Sequence, residues 1–221
     1  MQNFDDVIVS LDGPQSVHDK IRRVEGAFAR TRAGIEQIRN LIPKFPIAGR
    51  CTIQRENAGS LLDTWRAAHE ITLDSISFLA ADMTSDAFNR RPGQSPDIAP
   101  TPALLEREIE NLIATGECGG FICESPTKLK RIAAHFRSEN TAPLCNAPWV
   151  SAVVEANGTV RPCFFHAPIG RVTATNTLAN VINGPQAVAF RAQLDVATNP
   201  TCKRCVCSLN LSTPLVHSTQ S

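Results

Sequence analysis

Four cysteines in the last third of the chain constrain its fold more tightly than any other feature. Cys145-x12-Gly158-x4-Cys163 is followed by Cys202-x2-Cys205. A Cys-x2-Cys turn places both sulfurs on one face, where they can grip a single metal or iron. Asn157-Gly158 between the first two cysteines is a strong hairpin signal, which predicts two short strands over 147–165 joined by a two-residue turn. Such a hairpin brings Cys145 and Cys163 together at its open end. Four soft thiolates suit zinc or an iron-sulfur cluster equally, and their spacing does not separate the two.

A disulfide framework is the wrong reading of these residues. The start MQNFDDVIVS lacks the basic and apolar regions of a signal peptide. A cytoplasmic location is therefore expected, and there thiols stay reduced. Of the eight cysteines, Cys51, Cys118 and Cys123 are scattered, and Cys207 is either an alternative ligand or a buried thiol. A thiol-redox role fits poorly, because Cys202-x2-Cys205 does not open a helix after the first strand of a thioredoxin-like pattern.

The rest of the chain alternates strand and helix. Val7 to Leu11 reads as a buried strand ending at Asp12-Gly13-Pro14. Phe28, Ile35, Ile38 and Ile42 recur at helical spacing until Pro43. Ile47, Cys51 and Ile53 alternate as a second strand, Leu61, Leu62, Trp65 and Ala68 mark a helix, and Ser75 to Leu79 form a third strand. Residues 90–102 are a Pro-rich loop. Further helices follow around Leu104 to Ile113 and after Pro126, and one over Asn183 to Leu194 turns Val188 and Leu194 inward. About three βα units imply a parallel sheet covered by helices, either an open doubly wound sheet or part of a (β/α) barrel.

With 22 basic and 21 acidic residues intermixed, no electrostatic footprint for nucleic acid exists, and no apolar run approaches a membrane span. Ser16 is a reasonable N-cap for a helix carrying His18 and Asp19, and Asp12 suits its own turn. Arg22 can grip a carboxylate bidentately. His69, His135 and His166 have no spacing partners and read as packing or surface residues; His166 stands three residues after Cys163. Trp149 is expected to pack over the cysteine site.

Two of these motifs, in this order, resemble the radical SAM enzymes that carry a C-terminal SPASM or shorter twitch domain. Ser10-Leu11-Asp12-Gly13-Pro14 with His18-Asp19-x2-Arg22 looks like that family's fourth-strand signature, and the paired cysteines are similar to the twitch half of a SPASM module. The resemblance implies a partial (β/α) TIM-type barrel over residues 1–143, a small Cys-rich hairpin and helix module over 144–211, and a flexible tail over 212–221. It further implies that Cys145, Cys163, Cys202 and Cys205 ligate one auxiliary 4Fe-4S cluster, with Ser10 and Arg22 facing S-adenosylmethionine.

The family's Cys-x3-Cys-x2-Cys loop is missing from this chain. By resemblance, the strands that carry the catalytic cluster precede Val7. S-adenosylmethionine is then expected to bind only if another polypeptide, or a second copy in a homodimer, supplies the missing barrel half. An electron donor such as a ferredoxin or flavodoxin is the other expected partner. On this reading the isolated chain is an inactive portion of an enzyme that generates a deoxyadenosyl radical to modify a peptide or small molecule. The rival reading is a non-catalytic binding or scaffold protein with a structural zinc site made by the same four cysteines.

Overall fold

In a computed structural model of the chain, residues 4–82, 98–137, 143, 145–203 and 205 are described. They divide into two units, the first over residues 4–82 and 98–137 and the second from residue 143 onward.

The first unit is mixed α/β. Strands β1 (Val7–Ser10), β2 (Ile47–Ile53) and β3 (Ser75–Ala80) form a parallel sheet in that order. Helices α1 (Gln15–Arg22) and α2 (Ala27–Leu41) connect the first pair, and α3 (Leu61–Glu70) connects the second. Helices α4 (Pro102–Ala114) and α5 (Pro126–Phe136) follow. Val7 pairs with Ile47, and Ser10, Arg50 and Ser77 fall side by side across the three strands. Side chains that are neighbours in a parallel register share a face. One face is therefore Ile47, Cys51, Ile53, Ile76 and Phe78, all fully buried and covered by helices that bury Ile35, Leu61, Leu112 and Leu129. The opposite face carries Ser10, Arg50 and Thr52, which are half-buried or exposed.

Two expectations for this unit are corrected. The strand Val7 to Leu11 is not buried throughout, since Ile8 is 52% exposed; it shares the uncovered face of the sheet with Ser10, Arg50 and Thr52. Ser16 does not cap α1, because Pro14 occupies that position. The Pro14 carbonyl already accepts the N–H groups of Val17 (3.0 Å) and His18 (2.9 Å), so the helix begins before Ser16. Asp19 serves the next helix instead: its carboxylate accepts the N–H groups of Gly26 (2.9 Å) and Phe28 (2.8 Å). These are donors that a helix N-terminus leaves unpaired. The part of the Pro-rich loop over 90–97 lies outside the described residues.

The second unit is built on α6 (Ala147–Val150), strands β4 (Val153–Val154), β5 (Thr159–Arg161) and β6 (Gly170–Arg171), and helices α7 (Leu178–Ile182), α8 (Pro185–Gln193) and α9 (Pro200–Lys203). Its core is Val160, Ile169, Val181 and Ala187, with Val172, Ile182 and Phe190 packed around them. The hairpin exists but differs from the expected one. Gly158 N–H donates to the Glu155 carbonyl and Glu155 N–H to the Thr159 carbonyl, both at 2.8 Å. Gly158 alone of Asn157-Gly158 has a positive φ, +85°. The loop thus spans three residues, with glycine in the left-handed bulge position that this geometry demands. Ala147 to Val150 form a helical turn rather than strand. The helix expected over Asn183 to Leu194 starts at Pro185, which opens a new helix after α7. Its inward residue is Ala187, fully buried, whereas Val188 is 50% exposed.

Candidate functional site

In the second unit, three of the four cysteines lie in one electrostatic field. The Cys202 thiol is pushed up to about 11, first by burial and then by the neighbouring Cys145 and Cys163 sulfurs, with Asp195 adding to the effect. A negative sulfur there is disfavoured by burial first and by the nearby sulfurs second. Cys205 is tied to Cys202 by the tight turn that closes α9, its N–H donating to the Cys202 carbonyl at 3.1 Å. The N–H of Ala147 reaches Cys145 Sγ at 3.4 Å. Crowded thiols that resist ionising together are a donor set completed by cationic iron or zinc, which replaces the protons and offsets the repulsion. As a donor set, these thiols suit a multi-iron cluster.

Sequence reasoning missed one member of this neighbourhood. His166 is buried, and its Nε2 stands 3.3 Å from Cys202 Sγ. Burial holds its pKa below the usual histidine range. The only available signal was its position three residues after Cys163, 36 positions before Cys202. Trp149 is 42% exposed, and Cys207 lies outside the described residues. Among the described residues, no group of three or more His, Cys, Asp or Glu side chains is arranged to hold a single metal ion.

In the first unit, the end of β1 is a buried polar knot. Asp12, His18 and Asn57 are each no more than 2% exposed. Asp12 N–H donates to His18 Nδ1 at 3.1 Å, so the neutral ring carries its proton on Nε2. Burial lowers the His18 pKa against the pull of Asp12. Arg22 Nε stands 2.6 Å from Asp12 Oδ2, an ion contact without hydrogen-bond alignment. Asp12 thus does more than shape its turn, because it holds Arg22 against the strand end. Asn57 Nδ2 donates to the carbonyls of Asp12 and Thr52, both at 3.0 Å, and its Oδ1 accepts from Gln54 N–H at 2.8 Å.

Ser10 and Arg22 are placed differently. Ser10 is exposed on the polar face of the sheet, whereas Arg22 is occupied by Asp12. The cation beside Ser10 is Arg50, whose Nε is buried with no hydrogen-bond partner. Next in the row, Ser77 donates to Glu124 Oε1 at 2.7 Å, and the same carboxylate accepts Phe78 N–H at 2.8 Å. Burial raises the Glu124 pKa.

The remaining residues behave as packing groups. His69 stacks on Phe121 and meets Glu117 at 3.0 Å. His135 is paired with the Ala81 backbone, near Asp82. Burial pushes the Cys51 thiol well up. That makes it a poor nucleophile.

Residues 145–206 match SPASM, an iron-sulfur cluster-binding domain. The segment over residues 145–206 is thus similar to SPASM iron-sulfur cluster-binding domains. The solved structure described as native anSMEcpe with bound AdoMet has a TM-score of 0.57 at 14% identity, covering 91% of this chain and 56% of that one. SuiB of Streptococcus suis bound to S-adenosylmethionine gives 0.55 at 12% identity, covering 92% and 49%. The same protein bound to the precursor peptide SuiA gives 0.54 at 13%. The chain therefore spans about half the length of these structures, and at such identities the likeness is one of fold. No curated protein matches the sequence. Among the described residues, no helix is long and apolar enough to cross a membrane.

Proposed function

We propose that Cys145, Cys163, Cys202 and Cys205 ligate one auxiliary 4Fe-4S cluster, and that the chain is a portion of a radical S-adenosylmethionine enzyme that modifies a peptide or small molecule. Residues 1–143 form part of a (β/α) barrel and residues 144–211 the cluster module. The observation that carries this reading is the match of residues 145–206 to an iron-sulfur cluster-binding domain, within which buried Cys202 has the Cys145 and Cys163 sulfurs as neighbours.

When bound, S-adenosylmethionine with a catalytic cluster supplies radical chemistry. Toward it, this chain offers the polar end of its sheet, the end of a (β/α) barrel where active sites assemble. Ser10 supplies a hydroxyl and Arg50 a cation whose Nε has no hydrogen bond, which suits a carboxylate. Arg50 fits that role better than Arg22, which Asp12 already holds. Asp12, His18 and Asn57 fix the turn beyond Ser10. Ile8 is exposed on β1, and this outer strand is suited to take a further parallel strand from another polypeptide or a second copy. A closed cluster with four thiolate ligands suits electron transfer to or from a ferredoxin or flavodoxin.

Anaerobic reconstitution of the chain with iron and sulfide tests the reading. It should yield four irons and four sulfides per chain with the broad visible absorbance of such a cluster. A colourless chain holding one zinc would overturn it in favour of a structural knob. The 221-residue chain has no Cys-x3-Cys-x2-Cys, so by itself it should not cleave S-adenosylmethionine; deoxyadenosine formed after reduction would refute that part.

A further inference from the structure

We propose that His166 donates its Nε2–H to the Cys202 sulfur and thereby raises the reduction potential of the cluster that Cys202 helps to hold. The inference rests on the cluster assignment above and adds a positioning residue to it.

The geometry is built from three directions. His166 Nε2 lies 3.3 Å from Cys202 Sγ, and both residues are more than nine-tenths buried. The ring is fixed edge-on against Phe190 of α8, centroids 5.0 Å apart. Its backbone carbonyl accepts Arg161 Nη1–H at 3.0 Å, which anchors the residue to β5. The ring is thus oriented by strand and helix rather than by the sulfur alone. A thiolate sulfur only accepts hydrogen bonds, so with Cys202 ligated the neutral imidazole must present the Nε2–H tautomer to it.

The direction of the effect follows from charge. Reduction adds one electron to the cluster and its sulfurs, and an N–H aimed at a sulfur stabilises the more negative state more strongly. His166 and Cys202 are both buried, so water screens the contact between them little.

The test uses the full chain, reconstituted anaerobically, as wild type, His166→Leu and His166→Gln. Each is titrated with dithionite against low-potential dyes while the cluster spectrum is followed. In His166→Leu, the ratio of reduced to oxidised cluster at a fixed poise should fall about tenfold, or about 59 mV for a one-electron couple. His166→Gln keeps an N–H and should recover much of that loss. Iron content should be equal in all three.

Unchanged potentials at equal iron content would overturn the proposal while leaving the cluster assignment standing. Iron lost from both variants would also overturn it, because the side chain would then be needed to retain the cluster rather than to tune it. Pulsed electron resonance of the reduced wild type with 15N-histidine needs no variant. It should show one weakly coupled nitrogen, and its absence would count against the contact. A wild type that takes up no cluster refutes the assignment itself, and this inference with it.

Discussion

Asn57→Ala should be among the most damaging substitutions in the first unit. Asn57 is fully buried and joins the ends of two strands: Nδ2 serves the Asp12 carbonyl beyond β1 and the Thr52 carbonyl in β2, and Oδ1 serves Gln54 N–H. Alanine leaves these three backbone groups without their partner. At about 1 kcal/mol net for each hydrogen bond, the loss is about 3 kcal/mol, more if water cannot reach the groups. Asn57→Asp keeps the acceptor but loses both donors and turns a carboxylate toward two carbonyls near buried Asp12. It should cost at least as much. Urea unfolding reads the effect through Trp65 of α3 in a Trp149→Phe background, which silences the second tryptophan. With a slope of about 2 kcal/mol/M, the midpoint should fall by about 1.5 M at an unchanged slope. A loss below about 1 kcal/mol, or an Asn57→Asp protein as stable as wild type, would refute the accounting.

Three more predictions concern other parts of the chain. Gly158→Ala puts a Cβ 2.7 Å from the Val172 carbonyl oxygen at a φ of +85°; it should destabilise the second unit by roughly 2 kcal/mol and speed cluster loss in a chelator challenge. Glu124 has a raised folded-state pKa. Its contribution is full below the ordinary carboxylate pKa and is lost as pH rises through the folded value. Glu124→Gln should therefore flatten that decline and be more stable than wild type at pH 8 by chemical denaturation; a parallel pH profile would refute this. Cys202→Ser should abolish iron uptake, measured as bound iron, whereas buried Cys51→Ala should leave it unchanged.

Local pattern made much of the first unit legible. The alternation of Ile47, Cys51 and Ile53 marks β2, and the spacing of Leu61 to Ala68 marks α3, because these elements bury one face at their own period. The burial of β1 was not legible, since an apolar run has the same composition whether one face of it is covered or both. Gly158 is legible as a turn residue, but a two-residue loop differs from a three-residue one only through the ladder bond of Glu155. At the candidate site, the four cysteines stand out in the sequence because Cys-x2-Cys and hairpin geometry act over short distances.

The sequence by itself determined the strand–helix order of the first unit and the presence of a turn at Gly158, which rest on contacts a few residues apart. Only the tertiary structure decided that Asp19 caps α2, that Arg50 rather than Arg22 stands beside Ser10, and that His166 meets Cys202 across 36 positions. Those pairings depend on strand register and on how helices pack. A side chain's nearest partner is then set by the fold's distances, which sequence spacing does not encode.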